Sequence, residues 1–239
     1  MLQDVEQLGG PARFTYCEDA NIPDYLNRHY WWAYVHPKAV HFFDRGWVIN
    51  LILLGNYHRL RDAALAEFSE RPLGRMLQIS CAYGDLSARL ARRAAKLGGT
   101  LEVVDVLPIQ LKNLKWKLPS RTPARLLRMD STDLRLPDQS YEQVLLFFLL
   151  HEQPADIRSK TLREALRVLK PGGKLVIVEF AKPKWWNPMR YLLRPLLGTL
   201  EPFALDLWDR DLVEMLPPFT GVRRSLYYGG LYQKLVVTR

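Results

Sequence analysis

The chain has 239 residues, of which 48% are hydrophobic and 25% are charged, and its formal net charge is +9. This length suits one α/β domain with additions and is short for two full domains. The positive charge favours an anionic partner, either nucleic acid or anionic lipid. Because the basic residues are mixed with Trp and Leu rather than with polar residues, we expect a lipid surface and no nucleic acid.

The cysteines and the longest apolar stretch indicate the cellular compartment of the protein. Cys17 and Cys81 are far apart in sequence, so they give neither a disulfide framework nor a zinc spacing, and a reducing compartment is favoured. Residues 1–13 lack the basic start and apolar run of a signal peptide. The longest apolar block, residues 47–55, is shorter than the ~20 residues that span a bilayer. We therefore expect a cytoplasmic protein that associates peripherally with the inner (cytoplasmic) membrane.

The segment before the first strand is dense in aromatic residues. Residues 1–20 predict a loose arm, and the following residues predict helices, one over 25–34 and one from Pro37 to about Phe68. Helical packing on a sheet explains many of the aromatic rings, but the adjacent Trp31 and Trp32 cannot both lie on one buried helix face. A flat apolar substrate or a membrane interface would explain the surplus. The candidates for substrate contact in this segment are Tyr30, Trp31, Tyr34 and His36.

Residues 74–86 predict a strand, a tight loop and the start of a helix. The strand is apolar, and the loop from Ser80 to Gly84 carries small side chains except at Tyr83. Such a loop lets a ligand approach the backbone beside a helix N-terminus. An ordinary connection between a strand and a helix of a parallel sheet is the alternative.

Two further strands end in acidic residues. The strand over 101–106 ends at Asp105, about 20 residues beyond the small-residue loop, which suits hydrogen bonding to ribose hydroxyls. Capping of the next helix is the alternative for Asp105. The strand over 126–129 is followed by Asp130 and Ser131, for which an ordinary turn is one interpretation.

The later pattern alternates strand and helix and then closes with a hairpin. A strand over 144–149, a helix over 155–169 and a strand over 175–180 are followed by two strands around Gly229 and Gly230. The turn Lys-Pro-Gly-Gly joins that helix to the buried strand. The pattern predicts a mostly parallel sheet with an antiparallel end.

Over about residues 70–239 the chain resembles the class I S-adenosylmethionine (SAM) methyltransferases, nearest to their quinone methyltransferase branch, and the stretch RVLKPGGKLVIVEF is the most specific match. The resemblance implies an α/β fold with a Rossmann-like seven-stranded sheet, an N-terminal helical extension and a lid insertion. Gln78 stands at the family's acidic position, and Ser80 and Ala82 replace its first two glycines. The residues implied to contact SAM are Gln78, Ser80, Cys81, Ala82, Tyr83, Gly84, Asp105, Val106, Asp130 and Ser131, with Asp105 on the ribose and Asp130 on the adenine.

Residues 181–208 interrupt the sheet pattern with a mixture of Lys, Arg, Trp and Leu. This composition suits an amphipathic lid at a bilayer surface, and a helical insertion packed on its own domain is the alternative. Trp185 and Trp186 are candidates for substrate contact. We divide the chain into residues 1–68, an arm and aromatic-rich helices that cap the substrate or face the membrane, and residues 69–239, the SAM-binding domain with this insertion.

Three further stretches resemble one family within this superfamily: YWWAYVHPKAV at residues 30–40, QISCAYGDL at 78–86 and YGGLYQKL at 228–235. Together they resemble the rhodoquinone biosynthesis family RquA over nearly the whole chain. This resemblance implies conversion of ubiquinone to rhodoquinone, in which an amino group from SAM replaces a ring methoxy group and Mn²⁺ is required. The chain would then have a methyltransferase fold whose main reaction is not methyl transfer.

The altered loop offers a physical reason for such chemistry. A carboxylate beside the ammonium group of SAM would favour the charged form, and an ammonium cannot attack a quinone carbon. Gln78 keeps hydrogen-bonding capacity and removes that charge, which favours the free amine. We therefore expect Gln78 to lie beside the amino group.

Catalytic and metal-ligating residues are expected after the fourth strand. Related metal-dependent quinone O-methyltransferases carry a Glu-His pair there, and this chain has the reverse order at His151 and Glu152. Imidazole and carboxylate groups suit Mn²⁺, and capping of the following helix is the alternative. His151, Glu152 and Tyr141 are the catalytic candidates, with His151 and Glu152 as metal ligands and a third ligand from Glu179, Asp206 or Asp209.

Two other functions remain open at this point. One is conventional methyl transfer from SAM to a quinone or another lipidic ring. The other is a non-catalytic binding module with the SAM fold. The group that SAM donates to the product separates the first from amino transfer, and failure to bind SAM in calorimetry would favour the second.

Overall fold

The computed structural model describes residues 21–69, 73–118, 124–218 and 221–239, together with the backbone of two short strands before residue 21. These strands are β1 (Gln3–Asp4) and β2 (Arg13–Tyr16). β1 pairs with β2, and β2 pairs in parallel with a strand at residues 124–128. Part of the predicted loose arm therefore extends the sheet, whereas Cys17 lies outside the described residues.

The aromatic-rich segment forms several short helices. They are α1 (Asp24–His29), a π-helix (Trp31–Val35), α2 (Pro37–Phe43), α3 (Gly46–Ile52) and α4 (Tyr57–Ala66). Pro37 opens α2, as predicted. The single helix predicted from Pro37 to Phe68 is wrong, because Leu54 (φ 51°) and Gly55 (φ 77°) adopt a left-handed backbone that ends α3 and turns the chain before α4.

The remaining elements alternate strand and helix. They are β3 (Arg75–Ile79), α5 (Leu86–Lys96), β4 (Thr100–Asp105), α6 (Pro108–Lys117), β5 (Ala124–Arg128), β6 (Tyr141–Phe147), α7 (Ala155–Val168), β7 (Leu169–Phe180), α8 (Met189–Leu200), α9 (Ala204–Asp209), β8 (Gly221–Tyr227) and β9 (Tyr232–Thr238), with 3₁₀ turns at Leu150–Glu152, Leu212–Met215 and Tyr228–Gly230.

The sheet has the order β1-β2-β5-β4-β3-β6-β7-β9-β8. β5, β4, β3, β6 and β7 run parallel, and β9 lies antiparallel between β7 and β8. From β3 onward this is the predicted seven-stranded Rossmann-like sheet with its closing hairpin. The strand order reverses between β3 and β6, which is where ligands of open parallel sheets bind.

Two apolar layers cover the faces of this sheet. Met76 of β3 packs in a layer with Leu60 of α4 and Leu90 of α5, whereas the next residue, Leu77, packs with Leu162 of α7 on the opposite face. The alternation follows the two-residue period of a strand. Within the described ranges, the helices are too short or too polar to cross a membrane.

Candidate functional site

A cavity of about 560 Å³ lies at the carboxyl ends of the parallel strands, beneath the N-terminal helices and α8. Its wall combines the loops after β3, β4, β5 and β6 with apolar side chains from the helices. Among the described residues that line it are four carboxylates, Asp105, Asp130, Glu152 and Glu201, but neither lysine nor arginine. A cavity of this character suits a cationic or neutral ligand in a protein that is basic overall.

The small-residue loop forms one wall of the cavity through Ser80, Cys81, Ala82 and Tyr83. Ser80 has φ 72° and Gly84 has φ 78°. A Cβ atom at Gly84 would lie 2.3 Å from the Tyr57 hydroxyl, so glycine is required both by the backbone angle and by this close approach. Gly84 therefore supports the loop from behind, and its side-chain position is not part of the cavity wall.

Asp105 fixes the loop from the tip of β4. Its carboxylate accepts hydrogen bonds from the Cys81 N–H (2.7 Å) and the Leu107 N–H (2.8 Å), and the Ser80 hydroxyl lies 3.4 Å away. Burial raises the pKa of Asp105 to about 6, against the lowering effect of these backbone donors. The Cys81 N–H and the Ser80 hydroxyl share Oδ2, whereas Oδ1 accepts from the Leu107 N–H and keeps a lone pair for a hydroxyl group of a ligand in the cavity.

Gln78 is wholly buried beneath the loop instead of lining the cavity. Its side-chain amide donates to the Ser80 carbonyl (2.9 Å) and the Ser87 hydroxyl (2.8 Å), so it joins the loop to the first turn of α5. Its Oε1 atom is buried without a hydrogen-bond partner. The prediction that Gln78 lies directly beside a ligand amine is therefore replaced by a position one layer behind the loop backbone.

The end of β5 and the turn after β6 form the next part of the wall. Asp130 accepts hydrogen bonds from the N–H and hydroxyl of Thr132, both at 2.8 Å, which is the predicted turn alternative. Ser131 accepts a hydrogen bond from the Gln153 side-chain amide (3.0 Å). Gln153 is among the residues that line the cavity, and its Oε1 atom is buried without a hydrogen-bond partner, so Gln153 is a second candidate to accept from a ligand amino group.

His151 and Glu152 both line the cavity. The His151 Nδ1 atom lies 3.0 Å from the Glu179 carboxylate, and the rings of Phe148 and Phe180 lie within 6.0 Å of the imidazole. Burial alone would lower the pKa of His151, but Glu179 raises it. Burial also raises the pKa of Glu152, against the opposing effect of His151. His151 and Glu152 thus line the cavity beside an aromatic chamber formed by Phe148, Phe180 and Tyr232.

The candidate metal site does not form a ligand cluster. Across the part of the chain that the structure describes, no group of three or more His, Cys, Asp or Glu side chains could hold a metal ion. The other oxygen of Glu179 accepts a hydrogen bond from the Leu150 N–H at 2.8 Å. The His151 Nε2 atom lies 3.8 Å from the Glu152 carboxylate. Asp206 and Asp209 instead face an arginine and a lysine side chain. These residues do not fit a manganese site in this arrangement.

Comparisons with known proteins place this geometry in a family. The family model described as the ubiE/COQ5 methyltransferase family matches residues 43–192. The chain belongs to the ubiE/COQ5 methyltransferase family. It is 31% identical over 163 residues to the ubiquinone/menaquinone biosynthesis C-methyltransferase UbiE of Azotobacter vinelandii (strain DJ / ATCC BAA-1303), covering 64% of this chain and 63% of the relative. UbiE of Ectopseudomonas mendocina (strain ymp) is 33% identical over 165 residues, covering 64% and 62%. The chain thus spans less than two thirds of these curated relatives.

Solved structures show the same fold at lower identity. The PH0226 protein from Pyrococcus horikoshii OT3 superposes with a TM-score of 0.60 at 15% identity, covering 91% of this chain and 99% of that protein. A SAM-dependent methyltransferase from Aquifex aeolicus superposes with a TM-score of 0.54 at 18% identity, covering 84% and 97%. The likeness confirms the class I SAM methyltransferase fold.

The structure brings together only some of the residues predicted to bind SAM, to contact the substrate or to act in catalysis. Asp105, Val106, Asp130, Ser131, His151, Glu152, Tyr34 and the loop residues Ser80, Cys81, Ala82 and Tyr83 line one cavity. Tyr141 does not join them, because it begins β6 and so lies at the amino ends of the parallel strands, where its hydroxyl donates to Glu102 (2.9 Å). The catalytic role predicted for Tyr141 is therefore not supported by its position.

The predicted aromatic contacts divide in the same way. Tyr34 lines the cavity and stacks on Tyr83, with ring centroids 5.5 Å apart. Tyr30 is buried behind it, beside Glu201. Trp31, with His36 packed against its ring, lies outside the cavity wall. Trp185 and Trp186 are exposed and also lie outside it. Direct substrate contact is therefore not supported for Trp185 and Trp186, nor for Tyr30, Trp31 and His36.

Sequence reasoning missed several residues of the wall. Tyr25, Gln153 and Glu201 come from three separate elements, and Phe148, Phe180 and Tyr232 form the aromatic surroundings of His151. The unusual backbone at Phe148 (φ 53°) turns the chain directly after β6, but nothing in the local sequence marks it. Only pairing of β7 with β9 brings Phe180 opposite Tyr232.

Proposed function

We propose that this chain transfers a group from SAM to the ring of a polyprenyl quinone. The observation that carries the proposal is a single cavity with a polar end at Asp105 and the small-residue loop and an aromatic chamber at His151. A ribose hydroxyl matches the free lone pair of the Asp105 carboxylate. A flat, apolar ring with carbonyl oxygens matches the aromatic chamber beside His151 and Glu152.

The residues of the polar end would hold SAM. Asp105 would accept the ribose hydroxyls, the backbone of Ser80 to Ala82 would contact the methionine part, and Gln153 would accept from the adenine amino group. When bound, SAM supplies either an electrophilic methyl group or, through its α-amino group, a nitrogen nucleophile. The helices before residue 69 and the insertion at 181–208 would cap the substrate.

Two groups of SAM are candidates for transfer. The curated relatives are named C-methyltransferases of ubiquinone and menaquinone biosynthesis, which supports methyl transfer better than amino transfer. The loop supports amino transfer, because residues 78–84 contain no acidic side chain and Gln78 occupies the acidic position. We propose amino transfer as the reaction particular to this chain, with replacement of a ring methoxy group of ubiquinone giving rhodoquinone, and methyl transfer as the second candidate.

The aromatic chamber suits attack on a quinone ring. In the bond-forming step of amino transfer, a C–N bond would form at the methoxy-bearing carbon, its C–O bond would break, and methanol would leave with the proton released by nitrogen. The new ring nitrogen would then still carry the SAM carbon skeleton. Rhodoquinone would form only when the N–Cα bond also breaks, by elimination with loss of a Cβ proton, which leaves the skeleton as an unsaturated acid. A hydrogen bond from His151 or Glu152 to the conjugated carbonyl oxygen would stabilise the negative charge that develops there. Methyl transfer would instead need a base that increases the electron density of a reduced ring.

The deciding experiment follows the label from SAM into the product. Purified protein is incubated with ubiquinone and SAM carrying either ¹⁵N in its amino group or ¹³C in its methyl group, and the quinones are analysed by mass spectrometry. Entry of ¹⁵N with loss of one methoxy group supports amino transfer, and entry of ¹³C alone supports methyl transfer. Parallel samples with Mn²⁺ and with EDTA test the metal requirement that the resemblance implies. Binding of SAM without any labelled quinone would indicate a non-catalytic module.

A Gln78→Glu variant tests the role assigned to the loop. A carboxylate beneath the loop would favour the protonated amine, so we expect amino transfer to fall at neutral pH and to recover at higher pH. Gln78→Leu is the control, because it removes the hydrogen bonds to Ser80 and Ser87 without adding charge. If Gln78→Glu kept the wild-type rate across the pH range, this explanation of the loop would be wrong.

A further inference from the structure

The cavity opens to the surface between α3 and α8 through side chains that are both exposed and part of its wall. Leu51 (67% exposed) and Ile52 come from α3, and Leu196 (50% exposed) and Leu200 come from α8. Exposed Trp47 and Leu192 continue this surface outside the cavity. We call these six residues the apolar mouth. Exposed apolar side chains that are continuous with a ligand cavity mark an interaction site and not ordinary surface.

Positive charge surrounds the apolar mouth. Residues 182–200 contain two lysines and two arginines and no acidic residue. Exposed Lys184 lies 6.0 Å from the Trp186 ring, and Arg194 is exposed on α8. On the other side, Lys38 and Arg45 are exposed. The rim is therefore basic where it faces solvent.

The one acidic side chain between these two basic residues does not offset their charge at the surface. Asp44 is largely buried and lies 2.6 Å from the Lys117 ammonium group, so its charge is neutralised inside the protein. Apolar side chains enclosed by exposed cations match a membrane that has an acyl interior and anionic head groups.

We propose that the apolar mouth docks on an anionic lipid bilayer, so that the polyprenyl tail of the substrate enters the cavity between α3 and α8 without crossing water. The tail's route rests on the proposed function, whereas docking on the bilayer does not. Leucine and tryptophan side chains enter the head-group boundary, and Lys38, Arg45, Lys184 and Arg194 contact lipid phosphates. A second copy of the chain on this surface is the competing occupant.

Vesicle co-sedimentation tests the docking, with phosphatidylcholine vesicles compared with phosphatidylcholine vesicles that contain phosphatidylglycerol. The mouth variants are Leu192→Gln and Trp47→Gln. Their matched controls are Leu226→Gln and Trp116→Gln, which change the same residue types at other exposed positions outside the cavity wall. We expect each mouth variant to lower the partition coefficient about tenfold, and each control to stay within about twofold of the wild type.

Charge is tested separately with Arg194→Gln and, as its control, the exposed Arg92→Gln on α5. We expect Arg194→Gln to lower binding about fivefold on phosphatidylglycerol vesicles only, and added salt to reduce the difference. Wild-type protein that does not bind these vesicles would overturn the proposal. So would mouth variants that bind like their controls, or a mouth variant that changes only the molecular mass in solution, which would assign the surface to a second copy.

Activity on a quinone without a polyprenyl tail separates this proposal from the proposed function. We expect Leu192→Gln and Trp47→Gln to keep the wild-type rate on the soluble quinone and to lose about tenfold on ubiquinone embedded in vesicles. Equal losses on both substrates would contradict a role in membrane entry. If wild-type protein were inactive on both but still bound vesicles through the mouth, the proposed function would fail while the docking surface stood.

Discussion

The two walls of the cavity are stabilised in different ways. The loop wall is held by many short hydrogen bonds to backbone groups, including those of Asp105, Gln78 and Tyr57. The lid wall, formed by α8 and α9, is largely apolar and is joined to the turn after β6 by one buried cation, Arg158. The loop wall therefore depends on directional hydrogen bonds, whereas the lid wall is held by apolar packing and by Arg158.

The largest effect is expected at Arg158, the buried cation that joins the lid wall to the turn after β6. Arg158 is wholly buried, and its guanidinium donates to the carbonyls of Leu150 (2.9 Å) and Phe203 (3.1 Å) and to Asp206 (2.8 Å). Arg158→Ala removes the donor to these buried carbonyls and leaves Asp206 with Arg210 as its charge partner, so we expect a loss of about 3 kcal/mol in the free energy of unfolding. Urea denaturation measures it.

The exposed Arg163 lies on the same helix and is the matched control. Arg163→Ala should change the free energy of unfolding by less than about 0.5 kcal/mol. Similar small losses for both variants would show that the lid wall does not depend on Arg158.

The next effect concerns the loop wall. Asp105→Ala removes the acceptor for the Cys81 and Leu107 N–H groups as well as for the ribose. We expect SAM to bind about 10- to 100-fold more weakly, as measured by calorimetry. Asp105→Asn keeps the shape and part of the accepting capacity, so its loss should be smaller. An Asp105→Ala variant that bound SAM normally would contradict the placement of the ribose at the end of β4.

A smaller effect is expected behind the loop. The Tyr57 hydroxyl accepts the N–H groups of Asp85 (2.8 Å) and Leu86 (3.2 Å), which open α5. Tyr57→Phe leaves these donors unsatisfied, so we expect a loss of about 2 kcal/mol, seen as a melting temperature lower by about 4–8 °C. The exposed Tyr191, whose hydroxyl donates to the Trp185 carbonyl, gives the control Tyr191→Phe, with little change expected. Equal shifts would remove the distinction between the two walls.

The smallest effect is a pH dependence of the loop wall. The pKa of Asp105 is raised by burial from its ordinary value of 3.8 to about 6. In the proposed complex the ionised carboxylate would accept ribose hydroxyls. Its fraction falls from about one half at pH 6 to about one tenth at pH 5, so SAM affinity should fall about fivefold. Because the native state holds this proton more tightly than the unfolded state, the contribution of Asp105 to stability falls as pH rises from about 4 to 6. Calorimetry at several pH values checks the first trend, and Asp105→Asn should abolish it.

The sequence by itself determined the order of strands and helices from β3 onward, because buried strands and amphipathic helices leave strong periodic patterns. It also placed Asp105 at a strand tip, where the parallel register opens the sheet toward a ligand. It could not place Gln78 behind the loop or pair Tyr141 with Glu102 at the amino ends of the strands. Both positions depend on which way a strand side chain points within the assembled layers. Tertiary structure alone brought Glu201, Gln153 and Tyr25 into one wall, since these residues are distant in sequence and meet only when the lid packs over the sheet.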